Sequence, residues 1–220
     1  MRTVRPLFVA PPLAQGVLLP ILAVGLSYAL GGILGADLVG RWRGFDARGG
    51  GSGNPGATNV YRTVGALPAF LVLLWDAGKG WLAVCLPVWM HCGHAAIVAS
   101  VCALAVLLGH VRPPWRRHGT GGKGVATFLG VLVALVPPAA GVFVVIWAAV
   151  LVATRYVSLA SLVAGAAAVV VWGLEAPPER AAVAWAAAAL AYALVLWRHR
   201  GNVRRLCAGE EPRLSRLRAR

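Results

Sequence analysis

Segment 51–62 reads GSGNPGATNVYR and carries residue types that could bind a phosphate group. Its neutral hydrogen-bonding side chains are those of Ser52, Asn54, Thr58 and Asn59. Gly53 and the neighbouring glycines allow close backbone approach, and successive N–H groups in a glycine-rich turn form an anion-binding concavity. Arg62 adds a planar fork of charged donors. An ordinary tight turn uses the same residue types, but it has no need of two amides, two hydroxyls and an arginine together, so we interpret the segment as a binding loop.

A second candidate loop lies in the stretch GHVRPPWRRHGTGGKGVAT. Its GTGGKG resembles a Walker A loop but does not fit, because Arg117 replaces the first glycine and Gly124 replaces the Ser or Thr that binds Mg²⁺. What remains is Gly121, Gly122 and Lys123 just before an apolar run. Backbone donors, the helix dipole and the lysine charge would together favour an anion there. The alternative is a flexible basic loop that only sets membrane orientation.

The third candidate stretch, WRHRGNVRRLCAGEE, brings a histidine and an asparagine close to one another. His199 and Asn202 are three positions apart, so they share a face if the preceding helix continues. The arginines around them are typical of headgroup contacts. Glu210 and Glu211 lie within this basic stretch, and we expect them to pair locally.

The rest of the sequence is apolar: mean hydropathy is +0.74 and 13% of the 220 residues are charged, about half the fraction of a typical soluble domain. We predict an all-α, polytopic membrane protein with seven transmembrane helices in one bundle, forming a single domain over residues 1–220. The predicted spans are 16–40, 64–90, 93–110, 124–137, 138–154, 157–174 and 180–198. The net charge of +14 lies mainly between the apolar runs, where basic residues set orientation, so nucleic acid is not an expected partner.

Pro137 and Pro138 interrupt one long apolar run, which is either a kinked helix or a tight helical hairpin. A single helix would split the basic segments between the two sides of the membrane, against the positive-inside bias. We therefore predict a hairpin. With a hairpin, all three candidate segments emerge on the cytoplasmic side and can build one site.

The acidic residues are too few and too scattered to predict a metal site. Asp37, Asp46 and Asp76 are scattered along the sequence, whereas membrane phosphotransferases need several aspartates on helix faces. Asp76 and Lys79 are spaced to pair on one helix face within a span, and we expect a structural role for them. The cysteines show no C-x-x-C pair and are expected to be packing residues. The sequence predicts a phosphate-bearing substrate handled without a metal or a cofactor.

In chain order, DARGGGSGNPGATNVYR, WDAGKG, GHVRPPWRRHGTGGKGVAT, RYVSLASL and HRGNVRRLCAGEE resemble the successive motifs of the bacterial acyl-phosphate-dependent glycerol-3-phosphate acyltransferases. The resemblance implies a seven-helix, multi-pass enzyme of the bacterial inner (plasma) membrane whose active site faces the cytoplasm. It implies transfer of a fatty acyl group from acyl phosphate to the 1-hydroxyl of glycerol 3-phosphate. The products would be lysophosphatidic acid and phosphate, in the first acylation of phospholipid synthesis.

The resemblance also implies roles for residues at matching positions. A phosphate would be held by Ser52, Gly53 and Asn54 with neighbouring backbone amides. Glycerol 3-phosphate and the reacting carbonyl would be surrounded by Arg62, Lys123, Ser161, His199 and Asn202, of which we expect Lys123, His199 and Asn202 to be catalytic. Further substrate contacts are expected from Thr58, Asn59, Gly121, Gly122 and Ser158. The implied partners are glycerol 3-phosphate, acyl phosphate, membrane lipids and the enzyme that makes acyl phosphate.

Two questions stay open at the level of sequence. The base that deprotonates the glycerol hydroxyl is either His199 or a phosphate oxygen of a substrate. Ser52 has no evident local base, so we assign it to phosphate binding rather than nucleophilic attack. A membrane protein that binds or transports phosphate-bearing small molecules or lipids is the alternative function, and it would also use anion-binding loops.

Overall fold

A computed structural model describes residues 14–116 and 121–214, and all regular structure within them is helical. A π-helical turn at Ala14–Leu18 leads into the first of ten α-helices. These are α1 (Leu19–Gly32), α2 (Gly35–Arg43), α3 (Ala57–Thr63), α4 (Ala66–Trp89), α5 (Ala95–Val111), α6 (Val125–Leu135), α7 (Pro137–Thr154), α8 (Val157–Glu175), α9 (Ala181–Arg198) and α10 (Arg200–Cys207). A 3₁₀ turn at Pro178–Arg180 precedes α9. The predicted all-α class is confirmed.

Four of the described helices, α4, α7, α8 and α9 with its 3₁₀ turn, are long and apolar enough to cross a membrane. The bent pair α1 and α2 gives a fifth candidate. Helices α5 and α6 are apolar but shorter than 18 residues. The structure therefore supports four to five spans by length and composition, and it does not by itself establish the predicted seven.

The hairpin predicted at Pro137 and Pro138 is confirmed. Helix α6 ends at Leu135 and α7 begins at Pro137. The rings of Phe128 in α6 and Phe143 in α7 meet edge to face, with centroids 6.3 Å apart. One continuous helix would separate these positions by about 22 Å, at roughly 1.5 Å per residue. The chain therefore folds back on itself at the proline pair.

The first span ends earlier than the predicted residue 40. Helix α1 stops at Gly32, and α2 turns away by 43° after a two-residue break. Side chains of α4 stabilise the break, because the Trp75 Nε1 and Lys79 Nζ groups both donate to the Ile33 carbonyl, at 2.8 Å and 3.0 Å. The Asp76 carboxylate accepts from the Gly35 N–H at 3.2 Å. Hydropathy cannot reveal this break, because it is created by polar groups of another helix.

The pair predicted in WDAGKG forms inside the bundle. Lys79 Nζ lies 2.7 Å from the Asp76 carboxylate, and both side chains are almost fully buried. The carboxylate also lies 3.7 Å from His110 Nδ1 on α5. Because unpaired charges are costly within a bilayer, this contact explains how two charged residues can occupy the same span.

Close helix packing around glycines brings α4 against α6. A Cβ at Gly80 would collide with the Thr127 carbonyl, and a Cβ at Gly130 would collide with the Ala77 carbonyl. The main apolar core extends from this contact over α4 to α9 and includes Phe128, Leu132 and Trp172. The bundle core thus fixes the end of α5 and the beginning of α6, between which the second candidate loop lies.

Candidate active site

The first candidate segment is a loop organised around one buried amide. The Asn59 side chain donates to the carbonyls of Ala47 and Gly50, at 2.6 Å and 3.1 Å. Its oxygen accepts from the Ser52 backbone N–H at 2.8 Å and from the Ser52 hydroxyl at 3.2 Å. An asparagine has two donors and two acceptor sites, so all four are used within the loop. Asn59 therefore holds the loop in shape, and its predicted contact with substrate stays a prediction.

The other polar residues of this loop are more accessible. Ser52 is exposed, whereas Gly53, Asn54 and Thr58 are half-buried. Gly53 has φ of +66°, a conformation that glycine adopts without strain. These groups lie at the surface of the loop, where a bound anion could reach them.

Arg62 connects the first segment to the third. It lies in the last turn of α3, and its Nη2 donates to the Pro212 carbonyl at 3.2 Å. The side chain is half-buried, so part of its donor fork is left for a ligand. This contact joins residues that are 150 positions apart and brings the binding loop to the tail that follows α10.

The described part of the second loop is pressed against the end of α5. Gly121 N–H donates to the Val111 carbonyl at 2.9 Å, and Gly122 N–H donates to the His110 carbonyl at 3.1 Å. A Cβ at Gly121 would collide with the His110 carbonyl, and one at Gly122 with the His110 ring. Both N–H groups are therefore used within the protein. Gly121 and Gly122 thus shape the loop, and a direct contact of either glycine with substrate stays a prediction.

Lys123 follows these glycines and lies where all three segments meet. Burial lowers the pKa of Lys123 to about 8; the Glu211 carboxylate opposes this shift, while Arg205, Arg62 and Arg198 reinforce it. A lysine whose charge is disfavoured by its neighbours gains from an incoming anion. Residues 117–120, which include Arg117 of the Walker A comparison, lie outside the described residues.

Glu211 forms a hub that the sequence did not reveal. Its Oε1 accepts from the Ser158 hydroxyl and from Asn202 Nδ2, each at 2.6 Å, and its Oε2 accepts from Arg205 Nε at 2.8 Å. Burial raises the pKa of Glu211, but the hydrogen bonds from Ser158, Asn202 and Arg205 outweigh it and lower the pKa overall. The expected local pairing of Glu211 is thus confirmed with Arg205. The prediction was incomplete, because the carboxylate also joins α8 to α10.

The two catalytic candidates of the third segment are both buried. His199 lies between α9 and α10, and Asn202 lies in the first turn of α10. His199 Nδ1 lies 2.8 Å from the Val195 carbonyl. A carbonyl only accepts, so Nδ1 carries the proton and Nε2 is left as an acceptor in the neutral ring. Burial and the nearby Lys123 lower the pKa of His199 to about 4, so the ring is neutral near pH 7.

Ser158 and Ser161 lie one turn apart on α8 and are both buried. Ser158 contacts Glu211, as described above, whereas Ser161 donates to the Val157 carbonyl at 2.8 Å and accepts from Trp147 Nε1 at 3.2 Å. Their donors are used within the protein, and each hydroxyl retains acceptor capacity. A direct substrate contact by either serine stays a prediction.

The assembled site is strongly positive. Among the described residues, the charged groups that act on Lys123 are three arginines and one carboxylate: Arg62, Arg198, Arg205 and Glu211. Within residues 14–116 and 121–214, no group of three or more His, Cys, Asp or Glu side chains is arranged to hold a metal ion. The site is suited to bind phosphate groups through charge-assisted hydrogen bonds.

Comparison with known proteins identifies the family. A family model described as glycerol-3-phosphate acyltransferase matches residues 21–209 of this chain. The chain belongs to the glycerol-3-phosphate acyltransferase family. It is 47% identical over 189 residues to the glycerol-3-phosphate acyltransferase of Myxococcus xanthus, covering 86% of this chain and 96% of that protein. It is 46% identical to the enzyme of the same name from Halorhodospira halophila, covering 90% of this chain and 98% of that protein.

Two solved structures share the architecture of this glycerol-3-phosphate acyltransferase family member. Both are crystal structures of PlsY (YgiH), described as an integral membrane glycerol 3-phosphate acyltransferase, one in a glycerol 3-phosphate form and one in a lysophosphatidic acid form. They align with TM-scores of 0.81 and 0.80, both at 34% identity over 89% of this chain, covering 96% and 95% of those chains. An all-helical membrane fold of this type therefore carries the site described above.

Proposed function

We propose that this protein transfers a fatty acyl group from acyl phosphate to the 1-hydroxyl of glycerol 3-phosphate, releasing lysophosphatidic acid and inorganic phosphate. The observation that carries the proposal is the meeting of three distant polar segments around Lys123. Arg62 contacts the tail at Pro212, and Arg198 contacts the glycine loop. Family membership and the two forms of PlsY support glycerol 3-phosphate as acceptor and lysophosphatidic acid as product.

The charge of the site suits two phosphate-bearing substrates. Lys123 and the three arginines against the one carboxylate of Glu211 leave an excess of positive charge, whereas a phosphate monoester such as glycerol 3-phosphate carries about −1.5 to −2 at pH 7. We assign glycerol 3-phosphate to Arg62 and Lys123, and a phosphate contact to Ser52, Gly53 and Asn54. Binding both anions side by side supplies the proximity and orientation that the transfer requires.

In the transfer step, the glycerol hydroxyl oxygen attacks the acyl carbonyl carbon and forms the new ester bond. The bond between that carbon and the phosphate oxygen then breaks, and inorganic phosphate leaves. Acyl phosphate is an activated mixed anhydride, so the protein mainly has to stabilise the developing oxyanion and the leaving phosphate. Lys123 and Asn202 are the donors that we assign to this role. No covalent acyl-enzyme is needed, and Ser52 is assigned to phosphate binding.

The proton of the glycerol hydroxyl goes either to His199 or to a substrate phosphate. His199 offers Nε2 as an acceptor because Nδ1 is held by the Val195 carbonyl. The low pKa of His199 makes the free ring a weak base. A bound phosphate dianion would raise that pKa by its opposite charge. A phosphate oxygen is the alternative base, and both remain compatible with the position of the ring.

We further propose that all seven apolar helices span the membrane and form a single domain over residues 1–220, with the site on the cytoplasmic side. The seven helices would be α1 and α4 to α9, with α5 and α6 crossing a region that is thinned or recessed around the site. The basic residues between the apolar helices are concentrated on the side that carries the site, and the positive-inside bias assigns that side to the cytoplasm. The localisation would be the bacterial inner membrane, with membrane lipids and the enzyme that makes acyl phosphate as partners.

Substitution of single site residues tests the proposed reaction. Arg62→Ala, Lys123→Ala and His199→Ala are each expected to reduce lysophosphatidic acid formation by roughly 100-fold or more, because each removes a charge or a positioned acceptor. Arg43→Ala, a change at an exposed arginine at the end of α2, serves as control. Near wild-type rates in all three folded site variants would refute the proposal. Uptake of labelled glycerol 3-phosphate into liposomes without acylation would instead favour transport.

A further inference from the structure

Arg198 contacts the glycine loop through two hydrogen bonds. It is the last residue of α9 and is half-buried. Its Nε donates to the Gly122 carbonyl at 3.1 Å, and its Nη2 donates to the Gly121 carbonyl at 2.8 Å. One guanidinium therefore holds two consecutive peptide groups, which uses the planar geometry of its donor fork.

The peptide group between Gly121 and Gly122 is held on both sides. Its carbonyl accepts from Arg198, and its N–H donates to the His110 carbonyl at 3.1 Å. The carbonyl and the N–H of a trans peptide point in opposite directions, so Arg198 and the end of α5 clamp this group between them. Neither glycine can be replaced without a collision with His110.

The next peptide group, between Gly122 and Lys123, is held on one side only. Its carbonyl accepts from Arg198 Nε, so the Lys123 N–H points away from the guanidinium. Within the described residues, this N–H has no hydrogen-bond partner. Arg198 therefore sets the direction in which the loop presents the backbone N–H of Lys123, just before the free first-turn N–H groups of α6.

Arg198 also contributes to the charge of the site. Among the described residues, it is one of three arginines that act on Lys123, with Arg62 and Arg205, and the Glu211 carboxylate opposes them. Loss of the Arg198 charge would raise the pKa of Lys123. This gives a readout in solution that a purely structural residue would not provide.

We propose that Arg198 is a positioning residue for substrate binding, because it orients the Gly121–Gly122–Lys123 backbone and thereby directs the Lys123 N–H toward the phosphate of glycerol 3-phosphate. The inference rests on the proposed function, since it assigns that phosphate to the Lys123 loop. Arg198 acts through the loop and need not touch the substrate.

Arg200 is a matched control for Arg198. Both guanidinium groups stack on the ring of Trp197, at 5.7 Å for Arg198 and 4.8 Å for Arg200. Arg200 donates only to the nearby Trp197 carbonyl, at 3.2 Å, among the contacts of the described residues. Arg200→Gln therefore removes a charge and a stacking contact beside the same tryptophan and leaves the loop carbonyls untouched.

The test compares wild type, Arg198→Gln, Arg198→Lys and Arg200→Gln by steady-state kinetics over pH, with thermal melting as a check on folding. Arg198→Gln should raise the KM for glycerol 3-phosphate roughly tenfold or more, since charge-assisted hydrogen bonds are lost, with kcat within about threefold. Arg198→Lys keeps the charge and can make one of the two hydrogen bonds to the loop, so its KM for glycerol 3-phosphate should lie between those of the wild type and Arg198→Gln. Arg200→Gln should stay within about twofold.

The alkaline limit of kcat/KM gives the second readout. It should move to higher pH in Arg198→Gln and stay in place in Arg198→Lys. If Arg198→Gln does not fold, Arg198→Lys still tests the inference through its raised KM. A wild-type KM in either folded variant, an equal rise in Arg200→Gln, or a fall in kcat alone would overturn the inference. Failure of the wild-type protein to form lysophosphatidic acid would instead refute the proposed function.

Discussion

Lys123 is the residue whose charge links the structure most directly to pH. Its pKa is lowered to about 8, first by burial and then by Arg205, Arg62 and Arg198. The charged form predominates below the pKa, so a reaction that needs the cation loses rate above about pH 8. The acid limb of the pH–rate profile carries less information about the protein, because the substrate phosphate itself titrates near pH 6.

Replacement of this lysine by arginine should remove the alkaline limit. Arginine stays protonated through the accessible pH range, so kcat/KM of Lys123→Arg should remain level from about pH 7 to pH 10, even if its absolute value is lower. Lys123→Gln, without charge, should be poorly active at every pH. A pH–rate profile that keeps its fall near pH 8 in Lys123→Arg would show that another group is responsible.

Glu211 should be far more important than its neighbour Glu210. Glu211→Ala leaves Ser158, Asn202 and Arg205 without their shared acceptor, and breaking such a buried, charge-assisted cluster costs about 3 kcal/mol. Glu210 is exposed, and Glu210→Ala should change stability by less than about 0.5 kcal/mol.

Thermal unfolding in detergent and lysophosphatidic acid formation measure both effects. A clear drop in melting temperature and activity is expected for Glu211→Ala only. Equal melting temperatures and activities of the two variants would contradict the hydrogen-bonded cluster described for Glu211.

At the residue scale, the sequence revealed which side chains could bind phosphate but not which of them remain available. Asn59, Gly121 and Gly122 have suitable groups, yet those groups are used by Ser52, the end of α5 and Arg198. Glu211 was missed because a glutamate among arginines usually pairs locally. Its position a few residues beyond His199 and Asn202 is a weak signal in the sequence.

At the scale of elements, two glycines of α4 give a direct test of helix packing. Gly80 faces the Thr127 carbonyl of α6, whereas Gly78, two positions earlier, has open space where a Cβ would lie. Gly80→Ala should destabilise the protein by about 2 kcal/mol or more through overpacking. Gly78→Ala should be neutral or stabilising by up to about 1 kcal/mol, because alanine favours helix over glycine.

Melting temperatures of the two variants under identical detergent conditions test whether α4 and α6 are in close contact. A lower value for Gly80→Ala alone is expected. If both alanines were tolerated equally, α4 and α6 would not be in the close contact seen in the structure.

Hydropathy and proline positions were sufficient to locate six of the seven apolar helices to within a few residues. The hairpin at Pro137 followed from charge balance between loops. The break after Gly32 could not be predicted, because it depends on Trp75, Asp76 and Lys79 of another helix. Contacts between elements are long-range, and a local pattern does not encode them.

At the scale of the whole molecule, the order of the helices brings residues from both ends of the chain to one site. Arg62 and Pro212 are in contact, and Arg198 contacts the loop between α5 and α6. The sequence predicted this meeting by placing three polar segments on one side of the membrane. It could not predict the individual contacts, which depend on how the helix ends are stacked.

The proposed orientation predicts which cysteines react from outside the cell. Cys207, exposed at the end of α10, should react with a membrane-impermeant maleimide only after permeabilisation, in a variant that lacks Cys85, Cys92 and Cys102. In the corresponding cysteine-free protein, Glu179→Cys in the α8–α9 turn should react in intact cells. Labelling in the reverse pattern would place the site on the outer side.

The choice of acyl donor tests the central claim most directly. Purified wild-type protein would be given glycerol 3-phosphate together with acyl phosphate, acyl-CoA or an acyl carrier protein thioester, with no added metal. We predict that lysophosphatidic acid and inorganic phosphate form in equal amounts with acyl phosphate alone. Turnover with a thioester and none with acyl phosphate would contradict the account of two phosphate groups bound side by side around Lys123.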